Sequence, residues 1–340
     1  MTGRSGEGPS EPRKPELVVG LNAVILAVTA HQPRVLTVSA QELGEDFFGM
    51  DTLHLPRALP FGSFDEKNDR TLELCMRRSV LEKTRGELGY VEQLYTFADQ
   101  GRDPRERAGG NRVLSVGYLA LAREHDLSQA ENSSWQHCYR YFPWEDWRGG
   151  RPRIMDDIES ALLDWSQGSA ERRERVEICF GLGNAGWDAY QVLERYELLY
   201  EARLISEYWT DRGRTDDLLP GGGLGESMAF DHRRILATGL GRIRGKLRYR
   251  PVVFELLPPT FTLLELQRVV EALTGLRVHK QNFRRQVERA GLVEGTGQRS
   301  GRTGGRPAEL FRFRRAVLRE RRAPGMATLQ GAKRTGAGTD

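Results

Sequence analysis

The stretch Thr260 to Arg319 constrains the fold more tightly than any other part of the chain. Thr262 followed by Glu265 is a capping-box pair. Leu263, Leu266, Val269 or Val270, and Leu273 recur at helical spacing, and Gly275 supplies the stop. The segment VHKQNFRRQVERAG comes next. Phe283, Val287 and Ala290 share one helical face, which sends Lys280, Arg284 and Arg289 elsewhere. Leu292–Val293 opens a strand. The loop EGTGQRSGRTGGRP follows, and AELFRFR alternates as the return strand. Helix, turn, basic helix and basic hairpin in this order predict a winged helix over Phe261–Phe313 that binds duplex DNA.

Charge supports this. Between Thr260 and Arg319 there are 13 Lys or Arg against 5 Asp or Glu, a local excess of +8 in a chain whose net charge is +4. The remainder is mildly acidic. In the DNA-binding reading, Lys280, Gln281, Asn282, Arg284, Arg285 and Arg289 present the recognition surface. Gln281, Asn282 and Arg285 are the candidates for base edges. Arg299, Arg302 and Arg306 on the wing neutralise phosphates or enter a narrow minor groove. The competing reading is a solvated charged face, or an adaptor whose basic region binds an acidic partner.

With 340 residues, the chain is long enough for two cores. Residues 1–15 are expected to be disordered, as is the basic tail 318–340. LVVGLNAVILAVTA reads as a buried strand with Arg34–Val38 as its hairpin partner. Thr71–Lys83 has helical periodicity. Tyr90–Phe97 and Arg112–Arg123 read as strands, Glu177–Leu182 as a short strand, and Met155–Trp165 and Ala189–Tyr208 as helices. LLPGGGL at 218–224 marks a break. Phe230–Leu247 reads as another helix, and Val252–Leu257 as strand-like. The Trp-rich segment Trp135–Trp147 is either a binding lid or interface, or an irregular loop stapled to the core by its rings. These elements predict an α+β body over about 16–205.

Cys75, Cys138 and Cys179 lack ligand spacing and are odd in number, so neither structural zinc nor a disulfide framework is expected. No apolar run approaches a membrane span and the N-terminal residues lack a signal-peptide core, so a cytoplasmic protein is the expectation.

LPPTFTLLELQRVVEALTG, HKQNFRRQVERAGLVEGTG and GGRPAELFRF resemble the winged-helix end of the Nudix-related transcriptional regulators of NAD metabolism. YVEQLYTFADQGRDP, RVLSVGYLALA and FDHRRILATGLGRIRGKLRY are similar to the same family, and the longer body most resembles its alphaproteobacterial branch. The resemblance spans about 16–315. It implies a Nudix-like effector-binding and dimerisation domain over 16–215, and a linking helix with a winged helix-turn-helix domain over 225–317. It also implies a homodimer on a palindromic operator, repression of NAD biosynthesis or salvage genes, and an effector such as ATP, ADP-ribose or an NAD-related nucleotide. No cofactor is required.

A working Nudix site needs clustered carboxylates around Mg²⁺. In RSVLEKTRG, Arg78 and Glu82 match the pattern, but Ser79 and Lys83 stand where two glutamates belong. No metal site and no catalysis are therefore expected. The alternative is a Nudix hydrolase of ADP-ribose or a related nucleotide. For the effector, Arg102, Arg105 and Arg107 are candidate phosphate ligands, and Tyr95 or Phe97 a stacking partner. Arg77 and Arg78 are further candidates, and His232 is read as structural.

Overall fold

The computed structural model describes residues 17–39, 56–84, 86–103, 106, 109–127, 132–214, 223–301 and 307–320. The apolar run at its start forms β1 (Leu17–Thr29), which organises a mixed sheet. β2 (Gln32–Val38) folds back on β1 through Ala30 and His31, both at positive φ, as a two-residue hairpin turn requires. β3 (Phe61–Ser63) also pairs antiparallel with β1. Helix α1 (Leu72–Thr84) follows, then β4 (Tyr90–Phe97) and β5 (Arg112–Leu121). β5 runs parallel to β1, β4 closes one edge, and β6 (Ser133–His137) pairs with β2 at the other.

Successive side chains of β1 point to opposite faces, so the strand serves two cores. Leu21, Ala23, Ile25 and Ala27 pack with Cys75, Met76 and Val80 of α1. Val24 and Leu26 face a helical layer. This layer contains α2 (Cys138–Tyr141), α3 (Ile154–Trp165), α4 (Ala170–Phe180), α5 (Val192–Glu201), α6 (Ser206–Thr210) and α7 (His232–Lys246). Helix α7 crosses β1 so closely that a Cβ on Gly239 would lie 2.7 Å from Val24 Cγ1.

The C-terminal unit comprises α8 (Leu263–Thr274), α9 (Lys280–Ala290), β7 (Val293–Ser300), β8 (Ala308–Phe313) and the turn α10 (Val317–Glu320). Ordered chain thus runs past the expected limit at 317. The expectation of two cores needs revision in kind. One sheet face has its own core with α1, whereas Leu266, Val270, Phe283 and Val287 belong to the same apolar cluster as Phe142, Trp144 and Ile235.

Three local expectations differ from the structure. Glu177–Leu182 is not a strand, because its apolar residues finish α4, which Ser169 caps and Gly181 ends in the left-handed region. Ala189–Tyr208 is two helices, broken where Arg203 adopts a φ of 62°. Val252–Leu256 is a 3₁₀ turn between Pro251 and Pro258, not a strand. The Trp-rich segment is β6, α2 and a 3₁₀ turn. Trp135 and Trp144 are only 5% and 0% exposed, so the rings do anchor the segment in the core, but it is regular structure and not the irregular loop expected. The break at 218–224 falls largely outside the described residues, as do 1–15.

His232 is buried, in agreement with a structural role. The Leu59 N–H donates to its Nδ1 at 2.9 Å, and its Nε2 lies 2.9 Å from the Asn22 side-chain amide. Burial, aided by the Arg102 charge, pushes its pKa down from 6.5 to about 3. A depressed histidine pKa gives stability that is complete above the unfolded value and lost as pH falls toward the folded one. Lowering pH from 6.5 to 4.5 should therefore remove about 2 kcal/mol through this residue. Urea unfolding at both pH values checks it: the acid-induced loss should be smaller by that amount in His232→Gln.

Candidate nucleic-acid interface

Helix α8 begins at the expected capping box. Thr262 Oγ1 accepts from the Glu265 N–H at 3.2 Å, and the Glu265 carboxylate accepts from the Thr262 N–H at 2.6 Å. It ends at Gly275, whose φ of 71° is open to glycine. A Cβ there would sit 2.1 Å from the Glu145 carbonyl oxygen. Helix α9 then turns Phe283 and Val287 inward, at 1% and 0% exposure. Lys280, Gln281, Asn282, Arg284, Arg285 and Arg289 are all exposed, and none has a hydrogen bond or ion pair from its side chain among the described residues. The first turn of α9 has no side-chain cap.

The wing is the antiparallel pair β7–β8, with Val293 opposite Phe313 and Arg299 opposite Glu309. A bulge between Gly295 and Arg299, with Gly297 at a φ of 75°, twists the strand next to exposed Arg299. Arg302 and Arg306 lie outside the described residues. An isolated bridge joins Phe261 to Phe311, tying the wing to the start of α8. Phe313 stacks on Phe254 with centroids 4.4 Å apart. Sequence reasoning misses this support, because it reads Phe254 as part of a strand.

A second feature lies in the body. The turn after β4, α5, α6 and the start of α7 enclose a cleft of about 500 Å³ lined by Asp99, Arg102, Tyr200, Asp211, Phe230 and Arg234 among others. Arg102 is nearly buried. Its guanidinium forks onto Asp231, with Nε 2.9 Å from Oδ2, and Nη1 donates to Ser115 Oγ at 2.6 Å. Burial raises the Asp231 pKa despite this partner. Arg234 bridges Glu197 and Asp99, the latter at 2.6 Å, and the Tyr200 hydroxyl donates to Asp211 at 2.8 Å. Asp231, Arg234 and Tyr200 are not among the candidates that the sequence suggests; the segment FDHRRIL is the available signal.

The other effector candidates fare differently. Arg105 and Arg107 lie outside the described residues. Tyr95 is exposed, but Phe97 is only 2% exposed beneath Arg234, so it has no free face for a base. Arg77 donates to Glu73 and to the carbonyls of Leu88 and Gly89, and so braces the end of α1. Arg78 is forked onto Asp69 at 2.9 Å. Neither guanidinium is free for a phosphate. Ser79 is packed against Gly62, Glu82 is exposed 3.5 Å from Arg78, and Lys83 lies 5.6 Å from the Phe61 ring centroid. Among the described residues, no three His, Cys, Asp or Glu are placed to hold a metal, and no helix is long and apolar enough to cross a membrane.

A family model described as the NrtR DNA-binding winged helix domain matches residues 253–313. The chain is 27% identical over 261 residues to the ADPR responsive transcriptional repressor NtrR of Acinetobacter baylyi, covering 75% of this chain and 69% of that one. The fold is similar to that of Shewanella oneidensis NrtR complexed with a 27mer DNA, at 23% identity and a TM-score of 0.52 over 91% of this chain and 95% of that one. A second structure of Shewanella oneidensis NrtR gives 22% identity and a TM-score of 0.52 over 92% and 96%. Residues 253–313 therefore match an NrtR-type DNA-binding winged helix domain, and the chain as a whole has a fold similar to that of Shewanella oneidensis NrtR.

Proposed function

We propose that the protein is a DNA-binding transcriptional repressor of NAD biosynthesis or salvage genes, controlled by ADP-ribose or a related adenine nucleotide held by the body. The observation that carries this reading is the free, exposed polar face of α9 inside the region matched by the winged helix family. The Acinetobacter relative is described as ADPR responsive, which supports the effector. A homodimer on a palindromic operator would set two α9 helices in successive major grooves.

The cleft at the start of α7 is the proposed effector seat. Its volume is within the range of small-ligand pockets. Its exposed carboxylates, Asp99 and Glu197, suit ribose hydroxyls, and Arg102 and Arg234 lie beside them. A phosphate reaching either guanidinium must compete with a carboxylate, which gives the ligand a way to rearrange the cleft. The body is proposed to be non-catalytic, since Ser79 and Lys83 occupy positions where the metal would need carboxylates.

The test is DNA binding at fixed salt, using duplexes from upstream of NAD genes and random duplexes, with and without ADP-ribose, NAD and ATP. Sequence-preferring binding that weakens with one nucleotide is expected. Equal affinity for all duplexes would sink the repressor reading. Incubating ADP-ribose with the protein and Mg²⁺ or Mn²⁺ should give no cleavage; turnover abolished by Glu82→Gln would favour a hydrolase.

A further inference from the structure

The turn between α8 and α9 does not stand free. A loop of the body, residues 146–153, lies against it and leads into α3. The Trp147 N–H donates to the Gly275 carbonyl at 2.8 Å, and Arg277 Nε donates to the Arg148 carbonyl at 2.6 Å. Arg277 stands three residues before Lys280, the first residue of α9. In a helix-turn-helix, the N-terminal residues of the second helix approach the base edges, so whatever lies beside that turn is carried close to the duplex.

The loop is held firmly at its start. Trp147 Nε1 donates to the Trp144 carbonyl at 3.0 Å, and its ring lies against Trp187 with centroids 4.6 Å apart. The Arg148 guanidinium donates to Asp146, Gln32 and the His31 carbonyl. Beyond Arg148 the loop opens to solvent, where a Cβ on Gly149 or Gly150 would meet nothing within 4 Å. Arg151 is neutralised by Asp156 and Glu159. Arg153 is not neutralised. It is exposed and has no hydrogen bond or ion pair from its side chain among the described residues. Five residues of chain keep its Cα within about 18 Å of Arg148. The terminal nitrogens of Arg277 also have no partner among the described residues. The opposing charge is Asp157, exposed and one helical turn beyond Arg153.

We propose that this body loop is a second DNA-contacting element. Arg153, with Arg277 from the turn beside it, neutralises backbone phosphates next to the groove that α9 enters. Such contacts read no sequence, but they fix where the winged helix sits on the duplex. The footprint then includes body residues outside 253–313. This rests on the DNA-binding reading above and needs no effector.

The test is binding of the full-length protein to a random-sequence duplex, followed by fluorescence anisotropy across a salt series. Arg153→Gln should weaken binding about fivefold at about 0.15 M salt. It should also flatten the slope of log affinity against log salt by about 0.9, the value of one phosphate contact, which a merely structural loss would leave in place. Arg153→Lys keeps the charge and should keep the slope. Gly149→Glu, at an open position outside the left-handed region, should weaken binding as well, whereas Asp157→Asn should tighten it. Lys67→Gln is the control for net charge: this exposed residue precedes α1, which packs on the opposite face of the sheet, and its loss should leave affinity and slope as they are. An unchanged slope in Arg153→Gln overturns the proposal, as does an equal loss in Lys67→Gln. A wild-type protein that binds neither this duplex nor one from upstream of an NAD gene sinks the DNA-binding reading itself.

Discussion

Replacing Glu145 by alanine should lower the unfolding free energy by about 3–5 kcal/mol, the cost of removing one partner from a buried ion pair. The carboxylate is shared by Arg195 and Arg244, with no exposure of any of the three side chains. Burial pushes the Glu145 pKa up, but the two guanidiniums outweigh it, and the net shift is downward. Without the carboxylate, two positive charges remain in the interior with only carbonyl and hydroxyl acceptors: those of Cys179, Asp188, Ala189, Leu273 and Tyr139. Glu145→Gln keeps the shape and loses the charge, so it should fall between wild type and alanine. Urea unfolding followed by circular dichroism measures both. A loss below about 1 kcal/mol, the range of exposed pairs, would mean that the hub does not hold these helices together.

Changing Lys280, Arg284, Arg285 and Arg289 together to glutamine should weaken binding to every duplex by about a thousandfold at moderate salt. The slope of log affinity against log salt should flatten by about 0.9 for each phosphate that is no longer neutralised. Folding should be little affected, because these side chains are exposed and have no partners among the described residues. Asn282→Ala is the contrasting case. It should cost about 1–3 kcal/mol on operator DNA and little on random DNA, as expected of a base-reading side chain. Fluorescence anisotropy across a salt series separates the two behaviours. An unchanged salt slope in the fourfold variant would place the DNA on another surface.

The winged helix was legible because its signals are local. Thr262 and Glu265 are three residues apart, and Phe283 and Val287 four apart, so each feature can be recognised without knowing the fold. The sheet was legible for a similar reason: β1 and β5 are apolar runs too dense for a solvated edge. The hub was not. Glu145 is separated from Arg195 by 50 residues and from Arg244 by 99, and each looks like an ordinary surface charge in sequence. The cleft shows the same limit. Arg102 stands out as a basic loop residue, but the partner that commits it, Asp231, lies 129 positions away. Phe97 reads as a stacking ring because strand periodicity gives no sign of which face is covered by α7. Val252–Leu256 misleads because a short apolar run between prolines fits a strand or a tight turn equally well.

Because Leu266, Val270 and Phe283 share an interior with Phe142 and Trp144, the DNA-binding end is no portable cassette. Grafting residues 253–313 onto a different sensor would carry a bare apolar flank into water and leave a matching wound in the donor. Descent by shuffling of intact parts must therefore cut outside this seam, and the two halves can diverge only in step with each other.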